Sequence, residues 1–511
     1  MTDNQFKKYN LIVGWAVFAV ALITYGLTVE PTVSFWDCGE YIATSAKLEV
    51  GHPPGAPLFQ MMGAFIAAFA PNSDKIALFV NYMSVLSSAF TVLFLYFIIV
   101  NLTKKIALKK TDSVEEKTPA TLTQGQFIAV LGSGVVGALA YTFSDSFWFN
   151  AVEAEVYAMA MLFMSAMFWL GIKWTDSLHE PRGDRWLLLI SLVVGLSFGV
   201  HFMALLTIPA IGMLYFFKSN YKKTVVNFII ANVVSIAILL LIFKLILPYT
   251  LAYFGYLEVF FVNSFGMPFN SGTIIAGLSV IAFFYFTLNY AYKQNKVRLQ
   301  TGILCLLFVF IGFSSWLMIP IRANADTVIN ENSPTDARLL LAYYNLEQYP
   351  ETHLFYGPMY SDKYAGLDEE NPYEDAKPKY ERDYALGKYI IVNQYKNAQM
   401  ASNSKQEGVL PRMWSAQHAA NYMKLTGLLT FRIKEEAYNE PKLYQFLQEV
   451  QRQMQIQPLP PERYDQFLTE YRDYIEVEKP SFWKNMHYLF EYQFGYMYFR
   501  YFAWNFIGRQ D

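Results

Sequence analysis

Apolar runs of about 20 residues recur along the first 320 residues, and they constrain the fold more than any other feature of the chain. The runs cover residues 11–29, 77–101, 126–143, 151–172, 186–217, 224–247, 272–292 and 300–320. A helix needs about 20 such residues to cross the hydrocarbon core of a bilayer. Only 16% of the 511 residues are charged, against about 25% in soluble domains. The sequence therefore predicts an α-helical integral membrane protein.

Basic residues predict the direction in which the runs cross, because lysine and arginine collect in cytoplasmic loops. Lys7 and Lys8 precede the first run, and further basic clusters follow the second, fourth and fifth runs and separate the last two. The 186–217 run has basic residues at both ends, so all clusters share one side only if this run turns near GLSFGVHF (195–202). The prediction is a bundle of nine spans with the N-terminus inside.

The first outer loop, residues 30–76, contains a further apolar segment, APLFQMMGAFIAAFA (56–70). Counting it as a crossing would place Lys104 and Lys105 outside, so we interpret it as a helix lying in the outer interface. The residues up to 320 then form the membrane module, which includes the loop.

Residues 321–511 are expected outside and mainly α-helical, as in PKLYQFLQEVQRQMQ (441–455). We interpret DEENPYEDAKPKYERD (368–383) as a solvated loop. The aromatic end, residues 487–511, is predicted to be a helix lying against the membrane face.

Composition argues against several functions. A net charge of −2 gives no reason to expect nucleic-acid binding. The sequence contains no phosphate-binding glycine loop, no dinucleotide fingerprint and no Cys/His zinc spacing. Two cysteines far apart do not make a disulfide framework. Since nucleotides are scarce on the outer side, an activated substrate used there is expected to be lipid-linked.

Two acids in the first outer loop form the strongest candidate site. Asp37 and Glu40 are three residues apart, so a helical turn places both carboxylates on one face. Paired carboxylates can titrate at different pH, which leaves one ionised as a base. The alternative is a loop of solvated acids. Trp36, Phe35 and Tyr41 are expected to dehydrate the pair, and the following GHPPGAPL, with His52, restricts the backbone.

A second outer loop, SDSFWFNAVEAEVYAM (144–159), carries Glu153, Glu155 and Tyr157. Acids at the mouth of a membrane helix are costly and are more often functional than not. The alternative is that one of them forms an ion pair with a nearby lysine or arginine.

Two basic side chains are ambiguous from the sequence. His201 could be a core histidine or a site residue near the outer face. Arg322, in WLMIPIRANAD (316–326), could be a snorkelling anchor or the cation that holds a lipid phosphate, with Asn324 beside it.

These motifs carry a resemblance. Many spans, an acidic first outer loop and a His-Pro-Pro element resemble the GT-C class of membrane glycosyltransferases. WDCGEY followed by GHPPGAPL is similar to the Asp-Glu and His-Pro-Pro elements of protein O-mannosyltransferases. FWDCGEYIA, GHPPGAPL, NAVEAEVYAM and RYFAWNFIGRQ together resemble the transmembrane protein 260 family over most of the chain.

The resemblance implies transfer of a sugar, expected to be mannose, from a polyprenyl-phosphate donor to Ser or Thr hydroxyls of exported proteins. Asp37 would be the base, with inversion at the sugar, and Glu40 the second catalytic carboxylate, although family Asp-Glu pairs are often adjacent. Further candidates bind substrate or support the leaving phosphate: His52, Glu153, Glu155, Tyr157, His201, Arg322, Asn324, Trp36, Arg500, Asn505 and Arg509.

The remaining expectations concern cofactors, cellular localisation, the extent of the chain and alternative functions. No resident cofactor or metal is expected, although Asp37, Glu153 and Glu155 could converge on a divalent ion. The protein is expected in a bacterial inner membrane with its site on the periplasmic side. Since members of the family it resembles usually continue further, the chain is expected to be a short member, a fragment or a truncated form. Two alternatives stay open: a glycolipid or polysaccharide acceptor, and a lipid or sugar transporter, which would place acids near the bilayer midplane.

Overall fold

The computed structural model describes residues 2–111, 122–349, 352–368 and 370–508. The chain divides into two compact units, Met1–Tyr349 and Pro350–Asp511. The first unit extends beyond Pro320, where the sequence places the boundary, because the residues after the last span pack on the first outer loop. Val50 donates a backbone hydrogen bond to Ile329 O, and Glu331 donates one to Val50 O, both at 3.0 Å.

Fifteen α-helices make up the described part of the first unit. They are α1 (Asp3–Leu27), α2 (Cys38–Lys47), α3 (Pro57–Ala67), α4 (Ile76–Thr111), α5 (Gln124–Thr142), α6 (Asp145–Ala151), α7 (Val156–Asp176), α8 (Arg185–Ser197), α9 (Thr207–Lys218), α10 (Val225–Leu240), α11 (Leu247–Phe265), α12 (Ser271–Lys293), α13 (Val297–Phe313), α14 (Met318–Ala323) and α15 (Ala337–Tyr344). A π-helix over Leu241–Ile246 joins α10 to α11 without a break.

Seven helical segments among the described residues are long and apolar enough to cross a membrane. They are Asp3–Leu27, Ser73–Leu108, Gln124–Thr142, Val156–Asp176, Val225–Phe265, Ser271–Lys293 and Val297–Ala323. This is the make-up of an integral membrane protein. The predicted break in the 186–217 run is confirmed, since α8 ends at Ser197 and a short turn of helix, Phe202–Leu206, precedes α9. Because α8 and α9 have only 13 and 12 residues, nine spans and their direction stay a prediction.

Two predicted boundaries differ from the structure. The span predicted at 151–172 begins at Val156, because the chain at Glu155 is still extended. The span predicted at 224–247 continues to Phe265. The interface segment 56–70 is a helix, α3, whose Phe59 and Gly63 are buried in the unit.

Close helix packing fixes the bundle at two places. Helix α4 is the most enclosed, with 67% of its most apolar stretch buried. Helices α8 and α13 approach so closely that a Cβ on Gly195 would lie 2.2 Å from Val309 O, and one on Gly312 would lie 2.4 Å from Leu196 N. Small residues at such crossings let membrane helices pack backbone to backbone.

The second unit mixes helices and strands. Its described helices are α16 (Ala419–Thr426), α17 (Pro441–Ile456), α18 (Pro461–Glu470), α19 (Phe482–His487) and α20 (Arg500–Ala503). Its described strands are β1 (Tyr356–Pro358), β2 (Tyr373–Glu374), β3 (Lys379–Asp383), β4 (Lys388–Asn393), β5 (Gln399–Met400), β6 (Glu407–Val409), β7 (Phe431–Ile433) and β8 (Ile475–Val477). They pair antiparallel as β1–β6, β2–β5, β3–β4 and β7–β8.

The strands are an addition to the expected mainly α-helical outer region, in which helices still cover more of the described residues than strands do. The stretch 368–383, interpreted as a loop, contributes β2 and β3. Along β4 only Tyr389 is buried, so the hairpin of β3 and β4 lacks the alternation of apolar and polar residues that reveals a half-buried strand.

The aromatic end is helical from α19 through a π-helix over Tyr488–Phe499 to α20. Phe490, Phe494 and Phe502 are exposed along it. The predicted helix is thus confirmed as far as Ala503, and its contact with a membrane stays a prediction. Arg509 lies outside the described residues.

Candidate active site

Asp37 lies at the start of α2 with its carboxylate free to meet a substrate. It is the residue preceding the helix, yet its side chain makes no capping hydrogen bond, and 59% of that side chain is exposed. The predicted aromatic enclosure forms only in part. Tyr41 is buried, whereas Phe35 and Trp36 are 78% and 86% exposed, because Trp36 has a left-handed φ of 61° and both precede the helix.

Glu40 and His52 contact each other at two points. Glu40 Oε1 accepts the His52 backbone N–H at 2.6 Å, and Glu40 Oε2 lies 3.0 Å from His52 Nδ1. The other ring nitrogen, Nε2, lies 3.9 Å from Asp37 Oδ2. The hydrogen bond to Glu40 raises the pKa of His52, and the same bond lowers the pKa of Glu40. Glu40 therefore orients a histidine between two carboxylates.

Residues after the last span hold this loop in place. Tyr343 of α15 is buried and donates a 2.5 Å hydrogen bond to Gly51 O. Gly55 has a left-handed φ of 73°, and a Cβ there would lie 2.6 Å from Tyr343 Oη. Glycine is thus required both by the backbone conformation and by the close approach of the tyrosine.

Glu153 and Glu155 form a buried acidic pair beneath the start of α2. Ser34 Oγ donates to Glu153 Oε2 at 2.5 Å, and Cys38 Sγ lies 3.7 Å from Glu155 Oε1. The side chains are only 3% and 6% exposed. Among the residues that the structure describes, neither forms an ion pair with a lysine or arginine, so the ion-pair alternative does not apply.

Burial controls the titration of these acids. It raises the pKa of Glu153, and it raises the pKa of Glu155 to about 7, with the charges of Asp37 and Glu153 adding to the effect. Burial and the two glutamates also raise the pKa of the Cys38 thiol. The site thus holds one exposed carboxylate and two whose protonated forms are favoured.

His201 and Tyr157 bring the second outer loop and the turn between α8 and α9 to the same place. Their rings lie 5.3 Å apart between centroids, and His201 Nδ1 accepts the backbone N–H of Met203 at 3.1 Å. Burial and then the charges of Glu155, Asp37, Glu40 and Tyr157 raise the pKa of Tyr41. Tyr41 therefore lies near the acids of both outer loops, and its ring centroid is 5.6 Å from that of His52.

Comparison with known proteins finds a family match over the part of the chain that carries these residues. The family model described as "Protein O-mannosyl-transferase TMEM260 N-terminal domain" matches residues 37–225. Its match begins at Asp37 and includes His52, Glu153, Glu155 and His201. Over residues 37–225 the chain is therefore similar to the TMEM260 N-terminal domain family. The rest of the chain is matched in part: residues 350–490 fit a family of unknown function, DUF8416.

Two curated proteins are similar to the chain in sequence. The protein O-mannosyl-transferase tmem260 of Dictyostelium discoideum is 24% identical over 254 residues, which are 46% of this chain and 28% of the relative. The protein O-mannosyl-transferase TMEM260 of Mus musculus is 24% identical over 162 residues, 32% of this chain and 19% of the relative. The matches thus span less than a third of the relatives' length. No solved structure matches the chain.

Arg322 and Asn324 follow the TMEM260 N-terminal domain in sequence and lie away from Asp37. Arg322 donates to Leu48 O at 2.5 Å and to Lys47 O at 3.2 Å, at the opposite end of the 10-residue α2, about 15 Å along the helix. Asn324 Nδ2 donates to Pro320 O and Thr335 O at 2.7 and 2.9 Å. Both side chains therefore donate hydrogen bonds to backbone carbonyls. Their predicted role in binding substrate or phosphate stays a prediction.

Arg500 and Asn505 belong to the second unit. The Arg500 guanidinium lies 3.8 Å from the ring centroid of Tyr496 and 4.8 Å from that of Trp504. Asn505 Nδ2 donates to Tyr501 O at 3.1 Å. Each makes contacts within its own helical segment, and a role in the reaction stays a prediction.

The carboxylates considered for a divalent ion do not converge. Within 2–111, 122–349, 352–368 and 370–508, no group of three or more His, Cys, Asp or Glu side chains is placed to hold a metal. The charges of Asp37 and Glu153 therefore affect Glu155, but the three carboxylates do not form one set of metal ligands.

Sequence reasoning missed three residues of this site. Ser34, Cys38 and Tyr343 act through contacts with partners 119, 117 and 292 residues away. No local pattern distinguishes them from other serines, cysteines and tyrosines, so the tertiary structure is the signal that finds them.

Proposed function

We propose that this protein is a glycosyltransferase that moves mannose from a polyprenyl-phosphate donor to Ser or Thr hydroxyls of exported proteins. One observation carries the proposal. The first residue of the matched domain, Asp37, presents an exposed carboxylate 3.9 Å from the oriented ring of His52. The names of the similar proteins, protein O-mannosyl-transferases, support the class of reaction.

Asp37 is the general base in this proposal. Its carboxylate takes the proton of the acceptor hydroxyl as the hydroxyl oxygen bonds to the anomeric carbon of the sugar. The bond between that carbon and the phosphate oxygen breaks on the opposite face, and polyprenyl phosphate leaves as an anion. The sugar configuration is inverted, and the proton ends on Asp37. General bases placed in this way contribute about 10²- to 10⁴-fold in rate.

His52 is the cation closest to this base. Glu40 raises its pKa, which favours a protonated ring that can stabilise the ionised form of Asp37 before the carboxylate takes the acceptor proton. Arg322 is a poorer candidate because it binds carbonyls about 15 Å away along α2. Glu40 then serves as a positioning residue, since both its oxygens face His52.

Glu153 and Glu155 are suited to hold the sugar. A carboxylic acid kept protonated by burial donates a hydrogen bond that an ionised one cannot. The pKa of about 7 for Glu155 allows both forms near neutral pH. Tyr157 and His201 add a phenol and an imidazole to the same wall.

We further propose that the site faces the periplasm of a bacterial inner membrane, where lipid-linked sugars replace nucleotide sugars. The aromatic segment Tyr488–Ala503 would then lie on the membrane surface, because its exposed aromatic rings suit the interface between water and lipid.

A transfer assay with the purified chain tests the proposal. The chain in detergent is mixed with polyprenyl-phosphate mannose and a Ser/Thr peptide, and the product is analysed by mass spectrometry and NMR. We expect a peptide heavier by one hexose, with inverted configuration at the anomeric carbon. Turnover in detergent, where no barrier separates two compartments, argues against a transporter; absence of turnover with any acceptor would refute the proposal.

Acceptor identity is tested in cells. Exported glycoproteins and glycolipids are compared between wild-type and deletion strains. Loss of hexosylated peptides is expected. Loss confined to a glycolipid or polysaccharide would keep the chemistry and replace the acceptor.

A further inference from the structure

An apolar cavity of about 750 Å³ lies in the first unit, between α8, α9, α10 and α13. Its walls are formed mainly by branched aliphatic side chains, for example Ile190, Val194, Ile211, Val234, Ile238 and Val309. None of the residues assigned to the candidate active site lines it. Cavities of this size are large enough for a lipid chain or a drug-sized molecule.

The serine and asparagine side chains in the wall already donate within the protein, and Trp174 Nε1 is a buried wall donor without a partner among the described residues. Ser191 Oγ donates to Leu187 O at 2.9 Å, and Ser235 Oγ donates to Ala231 O at 2.7 Å. Asn227 Nδ2 donates to Lys222 O at 2.8 Å. The wall therefore offers little directed hydrogen bonding to a polar metabolite, and its surface suits hydrocarbon.

One end of the cavity is basic. Tyr221 and Asn227 line it, so the cavity reaches the connection between α9 and α10. Lys222 and Lys223 are exposed on this connection, and Lys223 Nζ lies 4.7 Å from the ring centroid of Phe216, a wall residue. This end therefore offers positive charge to an anionic group.

Asp176, the acid that pairs with Lys218 at the end of α9, does not neutralise this charge. Asp176 binds Lys105 at 2.8 Å and Lys218 at 3.4 Å. It thus already has two cationic partners. Lys223 Nζ donates to Phe216 O and, at 2.7 Å, to Ser219 O, and these neutral carbonyls leave its positive charge uncompensated. Together with Lys222 it keeps this end of the apolar space positive.

We propose that this cavity binds an acyl chain of an anionic phospholipid, with the lipid phosphate at Lys222 and Lys223. Basic pockets between membrane helices commonly hold anionic head groups. The two features complement each other, since the cavity accepts the chain and the lysines accept the phosphate. The proposal does not depend on sugar transfer.

The position of the cavity argues against the sugar carrier as its occupant. Trp174 lines the cavity, whereas the candidate active site lies at the other end of α7, beside Val156. The 18 residues between them span about 27 Å of helix. A sugar phosphate held at Lys222 could not deliver its sugar to Asp37, whereas a phospholipid that does not react has no such requirement.

Native mass spectrometry of the purified chain tests the head group. The chain is titrated with dioleoylphosphatidylglycerol or dioleoylphosphatidylcholine. We expect several-fold greater retention of phosphatidylglycerol, and loss of that preference in Lys222→Gln/Lys223→Gln. The matched control, Lys293→Gln/Arg298→Gln, neutralises two exposed basic residues that do not line the cavity, and it should keep the preference. Equal retention of both lipids, or equal loss in both variants, would overturn the proposal.

Fluorescence quenching of Trp174, a native residue of the cavity wall, tests where the acyl chain lies. Phosphatidylglycerol with brominated acyl chains should quench Trp174, measured as wild-type fluorescence minus that of Trp174→Phe. Ser191→Phe, which fills the cavity, should reduce that quenching. Absence of quenching specific to Trp174 would overturn the proposal, and so would displacement of the phospholipid by equimolar polyprenyl phosphate.

Discussion

The carboxylate of Glu40 holds His52 at two points, accepting its backbone N–H at 2.6 Å and lying 3.0 Å from its Nδ1. A carboxylate on one imidazole nitrogen fixes the tautomer and directs the other nitrogen. That other nitrogen faces Asp37 at 3.9 Å. In the proposed mechanism, Asp37 is therefore the reacting carboxylate, and Glu40 acts through His52.

Glu40→Gln is expected to shift the alkaline limit of activity. Glu40 raises the pKa of His52 above its ordinary 6.5, with Asp37 and Glu155 adding to the effect. If protonated His52 supports the reaction, activity falls as pH rises through this raised pKa. Without the Glu40 charge the pKa drops, so the fall in kcat should move to lower pH. The measurement is a pH–rate profile of sugar transfer.

Stability gives an independent check on the same pair. Because the pKa of His52 is raised in the folded protein, its stabilising contribution is fully present below about 6.5 and is lost as pH rises through the folded value. The Tm of the wild type should fall as pH rises over that interval, and the Tm of Glu40→Gln should fall by less. Parallel pH profiles for wild type and Glu40→Gln would contradict the assigned role.

Glu155→Gln is expected to stabilise the protein at alkaline pH. The pKa of Glu155 rises from 4.5 to about 7 on burial, so the folded state binds a proton that the unfolded state releases. The cost of ionising it is absent below about 4.5 and complete above about 7. Glu155→Gln should therefore raise stability at pH 8, by on the order of 1–3 kcal/mol, and much less at pH 5. Thermal unfolding at the two pH values measures this.

Glu180→Gln is the control for that change, since Glu180 is an exposed acid in the loop after α7. It should leave Tm unchanged at both pH values. An equal gain for Glu155→Gln at pH 5 and pH 8 would show that charge is not the cause.

Tyr343→Phe is expected to lower kcat, and a neighbouring tyrosine provides a matched control. Tyr343 and Tyr344 are both buried and both donate to a backbone carbonyl, Gly51 O at 2.5 Å and Phe243 O at 2.9 Å. Each hydroxyl removed should cost about 1 kcal/mol of stability. Only Tyr343 supports the loop that carries His52, so only Tyr343→Phe should reduce transfer. Equal activity of the two variants would remove Tyr343 from the site.

Arg322→Gln distinguishes support of α2 from binding of the donor phosphate. Arg322 donates to Lys47 O and Leu48 O, and hydrogen bonds from charged groups contribute about 1.5–3 kcal/mol. We expect a lower Tm and a lower kcat with donor KM within about twofold. A large rise in donor KM at unchanged Tm would restore the phosphate-binding role.

The parts of the structure that depend on local sequence pattern could be predicted from the sequence. Apolar runs predict the long helices because each must satisfy its own backbone in lipid. The break between α8 and α9 follows from charge at both ends of a single run. Asp37, Glu40 and His52 could be grouped because one short loop carries all three.

The rest depends on contacts between distant segments. Ser34 meets Glu153, and Tyr343 meets Gly51, only after the helices have packed. The strands of the second unit are two to six residues long, too short to show a period. The sequence leaves Arg322 as either an anchor or a phosphate ligand, and its hydrogen bonds to the end of α2 are visible only in the structure; its role in phosphate binding stays a prediction.

The rate of sugar transfer by Asp37→Asn tests the central claim most directly. Asp37 is exposed and makes no capping hydrogen bond, so the variant should fold with an unchanged Tm. Asp74→Asn, an exposed acid in the same loop, is the matched control. We predict that Asp37→Asn loses about 10²- to 10⁴-fold in kcat while Asp74→Asn retains wild-type activity. Wild-type kcat in a folded Asp37→Asn protein would contradict the account.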